Sequence, residues 1–162
     1  QTRYHPPMTE SATPHKDFPV SWEEIDRHAR ALAWRLAELR PPETPWRGIV
    51  AITRGGLVPA CIVARELDIR RIDTLCAVSY EDTRHQGELD ILKKPLEAGD
   101  GEGWIVIDDL ADTGKTFRAA RAILPRAYFA CIYVKPMGAP TADTHVLEVS
   151  QDTWIHFPWE MP

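Results

Sequence analysis

The chain has 162 residues, 44% of them hydrophobic, a net charge of −5 and three cysteines. That length allows one domain with a substantial core, and the acidic balance argues against a nonspecific nucleic-acid binder while leaving room for anionic ligands held by local cations. No apolar run approaches membrane-spanning length, so no integral membrane segment is expected.

Residues 1–19 are polar and carry Pro6, Pro7, Pro14 and Pro19. They read as a flexible N-terminal extension, without a signal-peptide core, ahead of a single domain over residues 20–162. Ser21 and Glu24 form a capping box. Trp22, Ile25, Ala29, Leu32, Leu36 and Leu39 then recur at helical spacing until Pro41-Pro42 ends the helix. His28 within it reads as a surface or partly buried helical residue.

Gly48 to Ile52 reads as a strand, Thr53 to Gly56 as a turn, Leu57 to Leu67 as a helix and Thr74 to Tyr80 as a second strand. Glu81 to Gly103 is long, polar and glycine-containing, which suggests a lid or a hairpin excursion. Tyr128 to Val134 and Val146 to Val149 read as further strands, followed by a tail with Trp154, Phe157, Pro158 and Trp159. Strands alternating with helices predict an α/β fold with a mainly parallel sheet flanked by helices. Cys61, Cys76 and Cys131 are odd in number, lack CxxC spacing and sit among apolar residues. They read as reduced core thiols of a cytoplasmic protein.

The densest chemistry lies in Trp104-Ile105-Val106-Ile107-Asp108-Asp109-Leu110-Ala111-Asp112-Thr113-Gly114-Lys115-Thr116. A short apolar run reads as a buried parallel strand. The Asp and Thr-Gly cluster after it reads as a turn opening a helix. Ligands of open α/β sheets bind beyond the carboxyl ends of strands, and free N–H groups at a helix start favour phosphate. The segment therefore offers acids for sugar hydroxyls or a metal, and a cradle for phosphate. Plain capping by Asp and Thr is the competing explanation. Gly114-Lys115-Thr116 has the ending of a P-loop, but the motif requires glycine at position 109, which is Asp.

Val106 to Gly114 resembles the 5-phosphoribosyl-1-pyrophosphate (PRPP) signature of type I phosphoribosyltransferases. Thr53-Arg54-Gly55-Gly56-Leu57-Val58-Pro59, Ala64-Arg65-Glu66-Leu67, Lys135-Pro136-Met137-Gly138 and Gln151-Asp152-Thr153-Trp154-Ile155 extend the resemblance to the bacterial xanthine-guanine phosphoribosyltransferases. It covers Val20 to Met161, with the segments in the family's order. It implies a type I phosphoribosyltransferase core with a small C-terminal hood and a mobile lid loop. The implied reaction joins N9 of guanine, xanthine or hypoxanthine to the phosphoribosyl group of PRPP in purine salvage, with Mg²⁺ as cofactor and release of pyrophosphate. A homodimer or homotetramer is implied as well, and the cytoplasmic expectation extends to the periphery of the inner membrane.

The resemblance also assigns roles. Asp108 and Asp109 face the ribose hydroxyls, and Asp109 helps place Mg²⁺. Leu110, Ala111, Asp112, Thr113, Gly114, Lys115 and Thr116 wrap the 5-phosphate, and Arg54-Gly55 binds pyrophosphate. Asp112 matches the general base near the purine N7. Lys135 donates to the 6-oxo group, Trp154 stacks on the base, and Ile155 supplies apolar contact and backbone groups at its 2-position.

Two departures stand out. Gly87 precedes Glu88-Leu89 where the family has Arg, so Arg84, Lys93 or Lys94 is expected to take over that contact. Lys115 stands where the family usually has Gly. A noncatalytic PRPP-sensing regulator of the same fold is the alternative. The acidic balance, the absence of a basic arm, and the presence of Asp112, Lys135 and Trp154-Ile155 count against it.

Overall fold

The computed structural model describes residues 15–79 and 88–160. Its main sheet is built from β2 (Gly48–Thr53), β3 (Ile72–Ser79), β4 (Leu89–Lys93), β5 (Trp104–Ala111), β6 (Tyr128–Val134) and β7 (Thr144–Glu148). The strand order is β4-β3-β2-β5-β6-β7. Every pairing is parallel except β3 with β4. The fold is α/β, a mostly parallel sheet flanked by helices, as the alternation of strands and helices predicts.

Both faces of this sheet are covered, which is why its central strands are apolar throughout rather than alternating. Along β2, Ile49 and Ala51 point to one face, where Leu32 and Leu36 of α1 (Trp22–Ala37) and Val63 of α2 (Leu57–Glu66) pack. Val50 and Ile52 point to the other, against Phe117 and Ala120 of α3 (Lys115–Ile123) and Phe129 of β6. Burial of each large side chain contributes roughly 1.5–3 kcal/mol. Ser21 caps α1 as its spacing suggests, accepting from the Glu24 N–H at 3.1 Å. His28 is part-buried, with Nδ1 3.1 Å from the Tyr133 hydroxyl.

Several boundaries differ from the sequence reading. The extension expected over residues 1–19 is too long at its C-terminal end: Lys16–Pro19 is a strand, β1. It pairs in parallel with β8 (Thr153–His156), Asp17 opposite Trp154 and Phe18 opposite Ile155. The cause is tertiary. Phe18 packs on a cluster of Ile25, Tyr133, Ile155 and Phe157, and a partner so distant in sequence leaves no local signal. Residues 1–14 lie outside the described residues, as do 161 and 162.

Within the long polar stretch after β3, β4 pairs antiparallel with β3, and Lys93 Nζ donates to Asp73 Oδ1 at 2.7 Å. Residues 80–87, with Arg84 and Gly87, lie outside the described residues. The C-terminal tail, expected as a hood, forms the β1–β8 ribbon. The cysteines correct a further expectation. Only Cys131 is buried; Cys61 is exposed on α2 and Cys76 is half-buried on β3, because each lies off the packed stripe of its element. No helix among the described residues is long and apolar enough to cross a membrane.

Candidate active site

Strands β2, β5 and β6 run in parallel, so the turns that follow them emerge along one edge of the sheet. These turns are Arg54–Gly56, Asp112–Gly114 and Lys135–Gly138. Backbone contacts fasten the last two together: the Lys135 N–H donates to the Ala111 carbonyl at 3.0 Å. The Thr53–Arg54 peptide is cis, and Arg54 is exposed.

The turn after β5 forms a cradle of about 90 Å³ lined by Leu110, Ala111, Asp112, Thr113, Gly114, Lys115, Thr116 and Phe117. Gly114 caps α3 in the left-handed conformation at φ 85°, and no side chain caps the helix. Capping therefore does not explain Asp112 or Thr113. The first N–H groups of α3 are left facing the cradle, a ready anion site. Lys115, the first helical residue, adds a cation where the helix dipole disfavours one.

Asp108 and Asp109 end the apolar run of β5 and are 8% and 9% exposed. Asp108 Oδ1 accepts from the Asp109 N–H at 2.8 Å. Burial, then the neighbouring Asp109 charge, pushes the Asp108 carboxyl well above the usual carboxylate range. Burial, with the Glu160 charge adding to it, pushes Asp109 up to about 6. Asp109 lies against the turn after β2, for a Cβ on Gly55 would come within 2.6 Å of Asp109 Oδ1.

A second recess of about 210 Å³ is lined by Asp109, Leu110, Asp112, Lys135, Trp154, Ile155, Phe157 and Glu160. Lys135 is 6% exposed, and its Nζ donates to Asp112 Oδ2 at 3.1 Å. A cation so deeply placed needs a charged partner. Trp154 is 60% exposed beside Ile155, which is buried; alternation along β8 turns one residue outward and the next into the core.

The structure thus gathers Asp112, Lys135, Trp154 and Ile155, each singled out in the sequence, around one recess, with Asp108, Asp109 and the cradle adjoining. Lys93 is drawn instead to Asp73. Sequence reasoning missed Glu160, Phe157 and Gln151. The last donates through Nε2 to Asp112 Oδ1 at 2.8 Å. Its only signal was its place in the Gln151-to-Ile155 segment.

A family model for the phosphoribosyl transferase domain matches residues 21–162. The chain is similar to a purine phosphoribosyltransferase from Pyrococcus horikoshii, with 26% identity and a TM-score of 0.75 over 90% of this chain and 95% of that one. It is also similar to the Helicobacter pylori xanthine-guanine-hypoxanthine phosphoribosyltransferase, at 22% identity and a TM-score of 0.73 over 89% and 94% of the two chains. A third likeness is to the Trypanosoma cruzi hypoxanthine phosphoribosyltransferase in complex with its product IMP, at 21% identity and a TM-score of 0.62 over 79% and 77%. The last two, below 25% identity, speak to the fold alone.

Proposed function

The chain belongs to the phosphoribosyl transferase domain family, and from that premise we propose that it transfers the phosphoribosyl group of PRPP to N9 of a 6-oxopurine. Guanine, xanthine and hypoxanthine are the candidate bases; a nucleoside monophosphate and pyrophosphate are the products. The observation that carries this reading is the buried Lys135 ammonium paired with the half-exposed Asp112 carboxylate at 3.1 Å, facing a recess walled by exposed Trp154 and set beside the phosphate cradle.

Breaking the bond at C1 of the ribose develops oxocarbenium-like charge, so the reactants must be held in register. The α3 N–H groups with the Thr113 and Thr116 hydroxyls take the 5-phosphate. Asp108 and Asp109 accept from the ribose hydroxyls. Arg54, a permanently charged fork, and the Gly55 backbone bind the pyrophosphate. Asp112 sits where it can take or share the purine proton. Lys135, donor-only, pairs with a 6-oxo acceptor and opposes a 6-amino group. Trp154 stacks on the base and Ile155 packs at its 2-position.

Mg²⁺ fits the donor set: two buried carboxylates whose protons are held by desolvation would be stabilised in their charged form by a hard cation. Asp109, with Asp108 beside it, would hold the ion. When bound with PRPP, the ion neutralises charge on the pyrophosphate leaving group.

The test is pyrophosphate release from PRPP and Mg²⁺ with guanine, xanthine, hypoxanthine and adenine in turn. The oxopurines should be used, and adenine should be slower by ~10–100-fold or more. Equal rates with adenine would overturn the base assignment. PRPP binding without turnover of any base would identify a noncatalytic PRPP sensor instead.

A further inference from the structure

We propose that Gln151 is a positioning residue that holds the Asp112 carboxylate in place without neutralising it; this rests on the reading of Asp112 as the group that handles the purine proton. Asp112 follows β5 with its side chain half-exposed, and no hydrogen bond among the described residues reaches its carboxylate from its own segment. Two donors from elsewhere do. Lys135 Nζ donates to Oδ2 at 3.1 Å and Gln151 Nε2 donates to Oδ1 at 2.8 Å, so each carboxylate oxygen has its own partner.

The orientation of the Gln151 amide is forced. Its Oε1 accepts from the Met137 N–H at 3.0 Å, and a carboxylate can only accept, so the nitrogen must face Asp112. The same nitrogen lies 3.3 Å from the Asp112 carbonyl oxygen. One side chain thereby joins three segments: the phosphate turn, the loop that starts at Lys135, and the turn leading to the base-stacking Trp154.

The two donors are not equivalent. An ammonium has three hydrogens and is wanted by the base as well as by Asp112. As Lys135 donates to a 6-oxo group, its hold on Asp112 weakens. The amide has no such competing claim. It is also neutral, so it orients the carboxylate without setting a second positive charge beside it. A proton acceptor that must be both fixed and basic is served by one cation and one amide.

Three variants test this. Gln151→Leu removes all three hydrogen bonds and keeps the bulk; Gln151→Glu retains an acceptor for Met137 N–H and sets a negative charge against Asp112; Asp112→Asn supplies the background for a double-mutant cycle. Gln151→Leu should lower kcat by ~10–100-fold, the scale of a misplaced reacting group, with KM for PRPP changed less than about threefold. Its effect should vanish in the Asp112→Asn background, and the acid limb of the kcat–pH profile should move up by about one unit in Gln151→Glu. Equal losses in the two backgrounds, or an unmoved acid limb, would overturn the proposal and reduce Gln151 to a structural link. Failure of the functional reading is separable. If the wild type turns over no purine, the titration of the Asp112 carboxyl carbon, followed by NMR in wild type and Gln151→Glu, decides. A higher midpoint in the variant supports the coupling, and an unchanged one overturns it.

Discussion

Gly138 lies directly on the Ala111 carbonyl oxygen: a Cβ at position 138 would overlap that oxygen and stand 2.9 Å from the carbonyl of Asp112. The contact is backbone on backbone, so no side-chain rotation relieves it. It sets how closely the loop after β6 approaches the phosphate turn.

Gly138→Ala should therefore be destabilising by about 1–3 kcal/mol, the usual cost of overpacking. The backbone at Gly138, with φ −86, would accept alanine on its own, so the effect is steric. Denaturant melts measure the stability loss. KM for the purine should rise more than KM for PRPP, because Lys135 moves with its loop. A variant as stable and active as wild type would show that the loops separate at little cost.

Asp109 predicts a pH effect on the ligand-free protein. Burial holds its proton more tightly folded than unfolded, so the folded state is the better proton binder above the unfolded value near 4. Stability from this group is greatest at low pH and is lost as pH rises through about 6. At neutral pH Asp109→Asn should raise stability by about 1–3 kcal/mol, at roughly 1.4 kcal/mol per pKa unit, while abolishing turnover. Thermal melts across pH 4 to 8 should show a decline for wild type that flattens in the variant. Parallel curves would remove Asp109 from the pH dependence.

Lys115 predicts an exchange of stability for affinity. A cation in the first turn opposes the helix dipole by about 0.3–1 kcal/mol. Lys115→Ala should gain about that much stability without ligand and raise KM for PRPP, with the wild-type advantage shrinking at high salt. An unchanged KM would place the Lys115 ammonium outside the phosphate contact.

Lys135→Met should lower kcat/KM for oxopurines by ~10–100-fold and leave KM for PRPP within about threefold, because the thioether can neither meet the 6-oxo group nor pair with Asp112. Steady-state kinetics with guanine, xanthine and hypoxanthine check this. Wild-type activity in the variant would remove Lys135 from base selection.

The central strands β2, β5 and β6 were legible because they are nearly continuous apolar runs, a pattern set by burial on both faces, whereas the edge strand β4, with Asp90 and Lys93 in its five residues, carried no such signal. The phosphate turn was legible for the same reason, its carboxylates following such a run at once. What escaped depends on contacts between distant segments. Phe18 makes β1 a strand only because Ile155 lies opposite. Gln151 meets Asp112 across 39 residues, and Glu160 reaches the recess from the far end of the chain. Asp112 was legible as a chemical group, but not its partners, since capping and site geometry predict the same residue type there.

The β1–β8 ribbon also separates the two halves of the site by the length of chain each must close. The phosphate cradle is formed by the turn between β5 and α3, a segment local in sequence. The wall carrying Trp154 cannot settle until β8 has paired with β1, far from it in sequence. Among the described strand pairings this one closes the longest loop and is the most entropically demanding. The cradle therefore rests on local contacts, and the recess beside it on a long-range one.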